Sequence, residues 1–172
     1  MNVGGTNSLP TKDFVRLLES LAFTNIQTYI QTGNAVFRAA KADAARLPAR
    51  IQTRIQRDLG FAPEVIVLRL DELEKAVTAN PYPAADSNPK SLHLTFLAAP
   101  PKSPDLAALE KLRRDEEQFS HKGKVFYFYA PDGFARSRAF QRVERSLGVA
   151  GTARNWRTVR KLLEMAREIE GS

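Results

Sequence analysis

Eight cationic side chains fall between Gly133 and Leu163: Arg136, Arg138, Arg142, Arg145, Arg154, Arg157, Arg160 and Lys161. Glu144 is the one carboxylate among them, so this stretch carries +7, equal to the net charge of the whole chain. Guanidinium groups gathered in this way suit phosphate or carboxylate, because the planar fork can donate two parallel hydrogen bonds and stays charged at any physiological pH. The most informative segment runs Gly151-Thr152-Ala153-Arg154-Asn155-Trp156-Arg157-Thr158-Val159-Arg160-Lys161. Thr152 reads as the N-cap of a helix whose apolar stripe is Trp156, Val159, Leu163 and Ala166. Arg154, Arg157 and Lys161, three and four residues apart, then share another face near the helix start. Cations there oppose the helix dipole, at a few tenths to about 1 kcal/mol each. An anion held by the helix amides, Arg154 and Arg157 would offset that penalty. The expected anion site is therefore Thr152, Arg154, Asn155, Arg157 and Lys161. Trp156 is in phase with the apolar stripe and reads as core.

A second basic face is expected on the preceding helix, where Arg138, Arg142 and Arg145 alternate with the apolar Phe140, Val143 and Leu147. Two such faces together would make a groove for a nucleic-acid backbone, read through its phosphates without base specificity. Other candidates are weaker. The loop containing Asn2, Gly4 and Gly5 can cradle a phosphate with its amides, but it lacks the spacing of a P-loop or a dinucleotide fingerprint. The turn bearing Gln31 and Asn34 is a hairpin first and a polar surface second. His93 points opposite Leu92 and Leu94 on its strand, a position open to solvent, but a lone histidine reads first as structural. Tyr127 and Tyr129 share one strand face, and one face of that strand is expected to be core while the other stacks on a ligand. No nucleophile stands out: there is no GxSxG, no HExxH and no pair of histidines at ligand spacing.

The elements that must position these residues follow from periodicity. Apolar residues make up 43% and charged residues 26% of 172 residues, which excludes a disordered or fibrous chain and allows one domain or two small ones. No apolar run approaches the ~20 residues that cross a bilayer. The chain has no cysteine and two histidines, so no metal, disulfide or cofactor is expected, and the default placement is cytoplasmic. Helices are expected from Pro10 or Thr11, where Phe14, Leu17, Leu18 and Leu21 recur, and over Leu47, Ile51, Ile55 and Leu59 with Gly60 as cap. Strands are expected over 25–30 and 35–38 as a hairpin, and over 64–70, with Asp71 capping the helix after it. Beyond Asn80-Pro81-Tyr82-Pro83 come a strand over 92–96, a helix from Ser103-Pro104, and a hairpin of 117–120 with 125–129. Helices over 134–147 and 153–169 close the chain. The expected fold is α+β: two related modules, 1–79 and 80–172, of ferredoxin-like (split βαβ) element order, the second ending in two helices.

Asn2-Val3-Gly4-Gly5, Thr28-Tyr29-Ile30-Gln31-Thr32-Gly33-Asn34, Asn80-Pro81 and Thr152-Ala153-Arg154-Asn155-Trp156-Arg157-Thr158-Val159 resemble the signatures of a bacterial family, domain-of-unknown-function family 1697. The resemblance covers essentially the whole chain. It implies a soluble α+β bacterial protein and brings no activity, cofactor or substrate with it. Similar proteins carry a strand and an Arg-Gly before the Asn-Val-Gly-Gly segment, so the first strand of module one is expected to be missing or truncated here. An exposed sheet edge would then favour self-association. The leading functional expectation is binding of an anionic ligand, a nucleic acid or a phosphorylated compound, through the basic C-terminal helices. The alternatives are an enzyme acting on a small phosphorylated or carboxylated metabolite in a cleft between the modules, and a protein-interaction module.

Overall fold

Two units make up the chain, Met1–Glu74 with Lys161–Ser172 and Lys75–Arg160. The computed structural model describes residues 2–3, 7–30 and 33–171. In the first unit β1 (Asn2–Val3) pairs antiparallel with β2 (Asn7–Ser8). Helix α1 (Thr11–Glu19) buries Phe14, Leu17 and Leu18, the stripe that their spacing predicts. Strands β3 (Thr24–Tyr29) and β4 (Asn34–Arg38) form the expected hairpin, with Tyr29 opposite Asn34. A 3-10 segment, Lys41–Arg46, leads into α2 (Leu47–Leu59), so Pro48 sits in the first turn, where its missing amide hydrogen costs nothing. Leu47, Ile51 and Ile55 join Leu9, Phe14, Leu17, Leu18 and Phe23 in one core.

Residues 61–69 form no regular element, which corrects the strand expected over 64–70. Val65 and Val67 do pack against the core of this unit. What they lack is a ladder. The two-residue β1 is engaged with β2, and among the described residues no strand lies beside this run to take up its amides. Helix α3 (Leu70–Thr78) follows. Its cap lies two residues before the expected Asp71: the Arg69 amide donates to Glu72 Oε2 at 2.8 Å, while the Arg69 guanidinium grips Asp71 at 2.9 and 2.7 Å.

The second unit contains β5 (Leu92–Leu97), α4 (Leu106–Leu112), β6 (Gln118–Lys122), β7 (Val125–Tyr129), α5 (Val143–Leu147) and β8 (Gly151–Asn155). Their sheet runs β6-β7-β5-β8, antiparallel throughout. This is the complete split βαβ order, with the first strand at the centre of the sheet. Two expectations are corrected by it. The helix expected over 134–147 is a turn and a 3-10 segment, Phe140–Arg142, followed by the short α5. The helix expected from 153 is instead strand β8, and α6 (Trp156–Glu170) begins only after it. A Cβ on Gly151 would lie 2.9 Å from the Phe96 carbonyl and 2.8 Å from Thr95 Cγ2, so the close start of β8 against β5 requires glycine.

Directly opposed residues share a sheet face. His93, Phe126, Phe128 and Asn155 therefore point one way, and Leu94, Tyr127, Thr152 and Arg154 the other. On the first face Phe126 and Phe128 pack with Leu109, Ala139, Val143 and Leu147. On the second, Tyr127 is buried and its hydroxyl donates to the Ala76 carbonyl at 2.8 Å. Tyr129 stacks on Tyr82 with ring centres 5.4 Å apart. The stacking surface expected of these tyrosines is thus occupied from within.

Candidate functional site

Strand β8 changes the chemistry of the Thr152–Lys161 segment. Thr152 caps no helix: its Oγ1 accepts from Arg154 Nη1 at 2.6 Å, and the same nitrogen donates to the Ala153 carbonyl at 2.8 Å. Arg154 is half-buried, and burial lowers its pKa. The true cap of α6 is Asn155, whose Oδ1 accepts the Thr158 amide at 2.9 Å. Trp156 is core as expected, with its indole N–H on Asp86 Oδ1 at 2.8 Å. The same oxygen takes Arg160 at 3.2 Å. Lys161 pairs with Glu164 at 3.0 Å, a contact that raises its pKa. The dipole conflict is therefore met in part by carboxylates, and the expected five-residue anion site is not assembled. Asn155→Ala should cost about 1 kcal/mol in chemical denaturation, with Asn155→Asp close to wild type. Equal losses in both variants would deny the capping role.

The other basic face holds together. Arg138, Arg142 and Arg145, with Gln141 and Ser146, line an open groove of about 430 Å³. Asp105, Ala108 and Leu112 line it from the start and inner face of α4. Alternation produces this arrangement. Ala139, Val143 and Leu147 are buried in the core, which turns positions 138, 142 and 145 outward. Hydrogen bonds fix the turn: Ser137 Oγ accepts the Phe140 amide at 3.0 Å, and Ala139 O accepts the Arg142 amide at 2.9 Å. The Asp105 amide donates to Ser146 O at 2.8 Å, tying α4 to α5. Among the described residues no carboxylate pairs with Arg138, Arg142 or Arg145. Asp105, the one acidic residue lining the groove, spends Oδ1 on the Ala108 amide at 2.9 Å.

Two buried polar groups brace this segment from beneath. Glu117 is fully buried and accepts from the Arg114 amide at 3.0 Å and the Arg114 Nε at 2.9 Å. Arg114 Nη2 also donates to the Gly133 carbonyl at 2.8 Å. His93 packs edge-on against Phe134 and Phe140, at 4.0 and 5.3 Å between ring centres. The ring is thus built into the aromatic packing of this unit, the structural place of a lone histidine. Its Nδ1 is buried with no hydrogen-bond partner, and burial pushes its pKa down to about 4. Nothing in the spacing of Asp105, Gln141 and Ser146 marks them as partners of the basic face. The one available signal was Asp105 ahead of Leu106-Ala107-Ala108, a helix cap that brings α4 to this face.

Of the loop candidates, Gly4, Gly5 and Gln31 lie outside the described residues. Asn2 belongs to β1, opposite Ser8. Asn34 is buried and donates from Nδ2 to the Tyr29 carbonyl at 3.3 Å, so it serves the hairpin. Among the described residues no three histidine, aspartate or glutamate side chains gather as a metal-ligand set. No helix among them is long and apolar enough to cross a membrane.

The solved structure of the conserved bacterial protein SP0830 from Streptococcus pneumoniae resembles this chain with a TM-score of 0.66, at 20% identity, over 96% of this chain and 93% of that one. At that identity the likeness is one of fold. No curated protein matches the chain. The model of the family described as "Protein of unknown function (DUF1697)" matches residues 1–127, and the chain belongs to that family.

Proposed function

We propose that the protein is a binding module for phosphate-bearing anions and that its site is the groove of Arg138, Arg142 and Arg145. The observation that carries this reading is three exposed guanidinium groups lining one groove with no carboxylate paired to any of them among the described residues. Three cations share this groove with one carboxylate, Asp105, so positive charge is in excess there, and a multivalent anion relieves the repulsion among them. Charge-assisted, bidentate hydrogen bonds to phosphate oxygens add to the gain. The groove is supported by Arg114 paired with the buried Glu117 and by an aromatic cluster, so its arginines start from a braced backbone. A preorganised backbone lowers the entropic cost of binding.

The test is a thermal melt at low salt with inorganic tripolyphosphate. At about ten times its Kd the ligand should raise apparent stability by about 1.4 kcal/mol. Without ligand the triple variant Arg138→Gln/Arg142→Gln/Arg145→Gln should melt no lower than the wild type, since it removes their mutual repulsion, and it should show no increment with ligand. An equal increment in the variant would remove the groove as the site.

A further inference from the structure

We infer that the anion taken by this groove is the sugar–phosphate backbone of a double-stranded nucleic acid, bound without base readout. The inference rests on the anion-binding reading above and narrows its ligand class. The first observation is the layout of the charges. Arg138, Arg142 and Arg145 succeed one another at intervals of four and three residues, and all three are exposed. Ala139, Val143 and Leu147 face the core, so the three cations are left outward and line one groove. A site for a small phosphorylated compound encloses most of its ligand among apolar walls with a few converging polar groups. This groove is open, and none of its three arginines is buried. Several exposed cations along one open groove complement the closely spaced phosphates of a nucleic-acid backbone.

The second observation concerns the aromatic rings. Proteins that grip single strands stack bases on aromatic side chains. Here the rings of this unit that might serve are already engaged. Phe134 and Phe140 pack on each other and on His93, with 4.6 Å between the two phenyl centres. Tyr127 and Trp156 are buried, each with its polar atom hydrogen-bonded, and Tyr129 lies against Tyr82. Among the described residues no aromatic side chain lines the groove. Without a stacking platform, exposed bases gain nothing from this surface. A duplex, whose bases stack on one another and whose phosphates face outward at higher linear charge density, gains the full electrostatic return.

The third observation is the other polar groups. Gln141 and Ser146 also line the groove and can donate to phosphate or sugar oxygens. Such contacts fix position on a duplex but carry no sequence information.

The experiment is fluorescence anisotropy on the full chain with a labelled mixed-sequence DNA duplex and an RNA duplex, across a salt series. Three phosphate contacts give a slope of log K against log salt of about −2.7, so a fourfold rise in salt weakens binding about 40-fold. Each single Arg→Gln change should lower the slope by about 0.9, and the triple Arg→Lys variant should keep it. Arg157→Gln, at an exposed arginine that does not line the groove, should leave it unchanged. Tighter binding of a single strand of equal length, or a tenfold preference between unrelated duplex sequences, overturns the inference. So does tripolyphosphate binding by the wild type with no duplex binding, which leaves the anion-binding reading standing. Binding of neither ligand, or duplex binding that the triple Gln variant retains, overturns both.

Discussion

Arg114→Met should lower the unfolding free energy at pH 7, because it removes the charged partner of a fully buried carboxylate. The Glu117 side chain is at 0% exposure, while that of Arg114 is 32% exposed. Burial alone would raise the Glu117 pKa. The Arg114 amide, the Ser137 hydroxyl and the Arg114 guanidinium outweigh burial and hold the carboxyl below its ordinary value of 4.5. Glu117 is therefore ionised at pH 7, and removing the guanidinium leaves a buried charge with two neutral donors. Its contribution to wild-type stability is present above pH 4.5 and is lost as pH falls through the lower folded value. In Arg114→Met the folded pKa rises, because burial persists without the cation. The deficit should then be largest at pH 7 and shrink toward pH 4, read by urea denaturation at a series of pH values. Arg114→Met/Glu117→Met should recover most of the loss, since an apolar pair carries no desolvated charge. A single variant as stable as wild type, or a deficit that does not change with pH, would sink this account.

That pair also shows what the sequence could and could not disclose. Glu117 opens the strand expected over 117–120, beside the charged Arg113, Arg114 and Glu116, and nothing in the spacing says that it is buried. Its burial is decided by Ser137 and Gly133, sixteen or more residues away, and tertiary partners of that kind leave no local periodic trace. The helix stripes of α1 and α2 were legible because the period of 3.6 is written within the element itself. The hairpins were legible for the same reason. Strand β8 was not, because Gly151-Thr152-Ala153-Arg154-Asn155 lacks alternating apolar residues and runs straight into the strong stripe of α6. Extended a few residues back, that stripe predicts a helix start and a cap at Thr152 where β8 stands. The opposite error occurred at 64–70, where β-branched residues promised a strand that has no neighbour to pair with among the described residues. The basic face of 138–145 survived the loss of its long helix. It depended only on Ala139, Val143 and Leu147 facing inward, which holds in a 3-10 turn followed by a short helix as well as in a continuous one.

Acid should unfold the protein in part through His93. Burial holds its folded pKa at about 4, against 6.5 for the free side chain. Between those values the unfolded chain binds a proton that the native state refuses, so stability rises with pH across this window and falls as the solution is acidified below 6.5. The linkage amounts to about 2 kcal/mol lost by pH 5 and about 3 kcal/mol by pH 4. Carboxylates such as Glu117 add their own losses at lower pH, so the comparison must be made against a variant that cannot titrate at this position. His93→Leu removes the ring whose Nδ1 has no partner, and its stability at pH 7 should lie within about 1 kcal/mol of wild type. By pH 5 the variant should be the more stable protein, and the difference between the two curves should follow a single titration between 6.5 and about 4. The ring lies against Phe134 and Phe140, on either side of Arg138, so the first segment to loosen should be the one that presents the groove arginines. Hydrogen exchange should accordingly quicken at 134–142 before it does at β7. A His93 ring resonance that titrates near 6.5 in the folded protein, or parallel stability curves for wild type and His93→Leu, would show that this histidine is not held neutral by its surroundings.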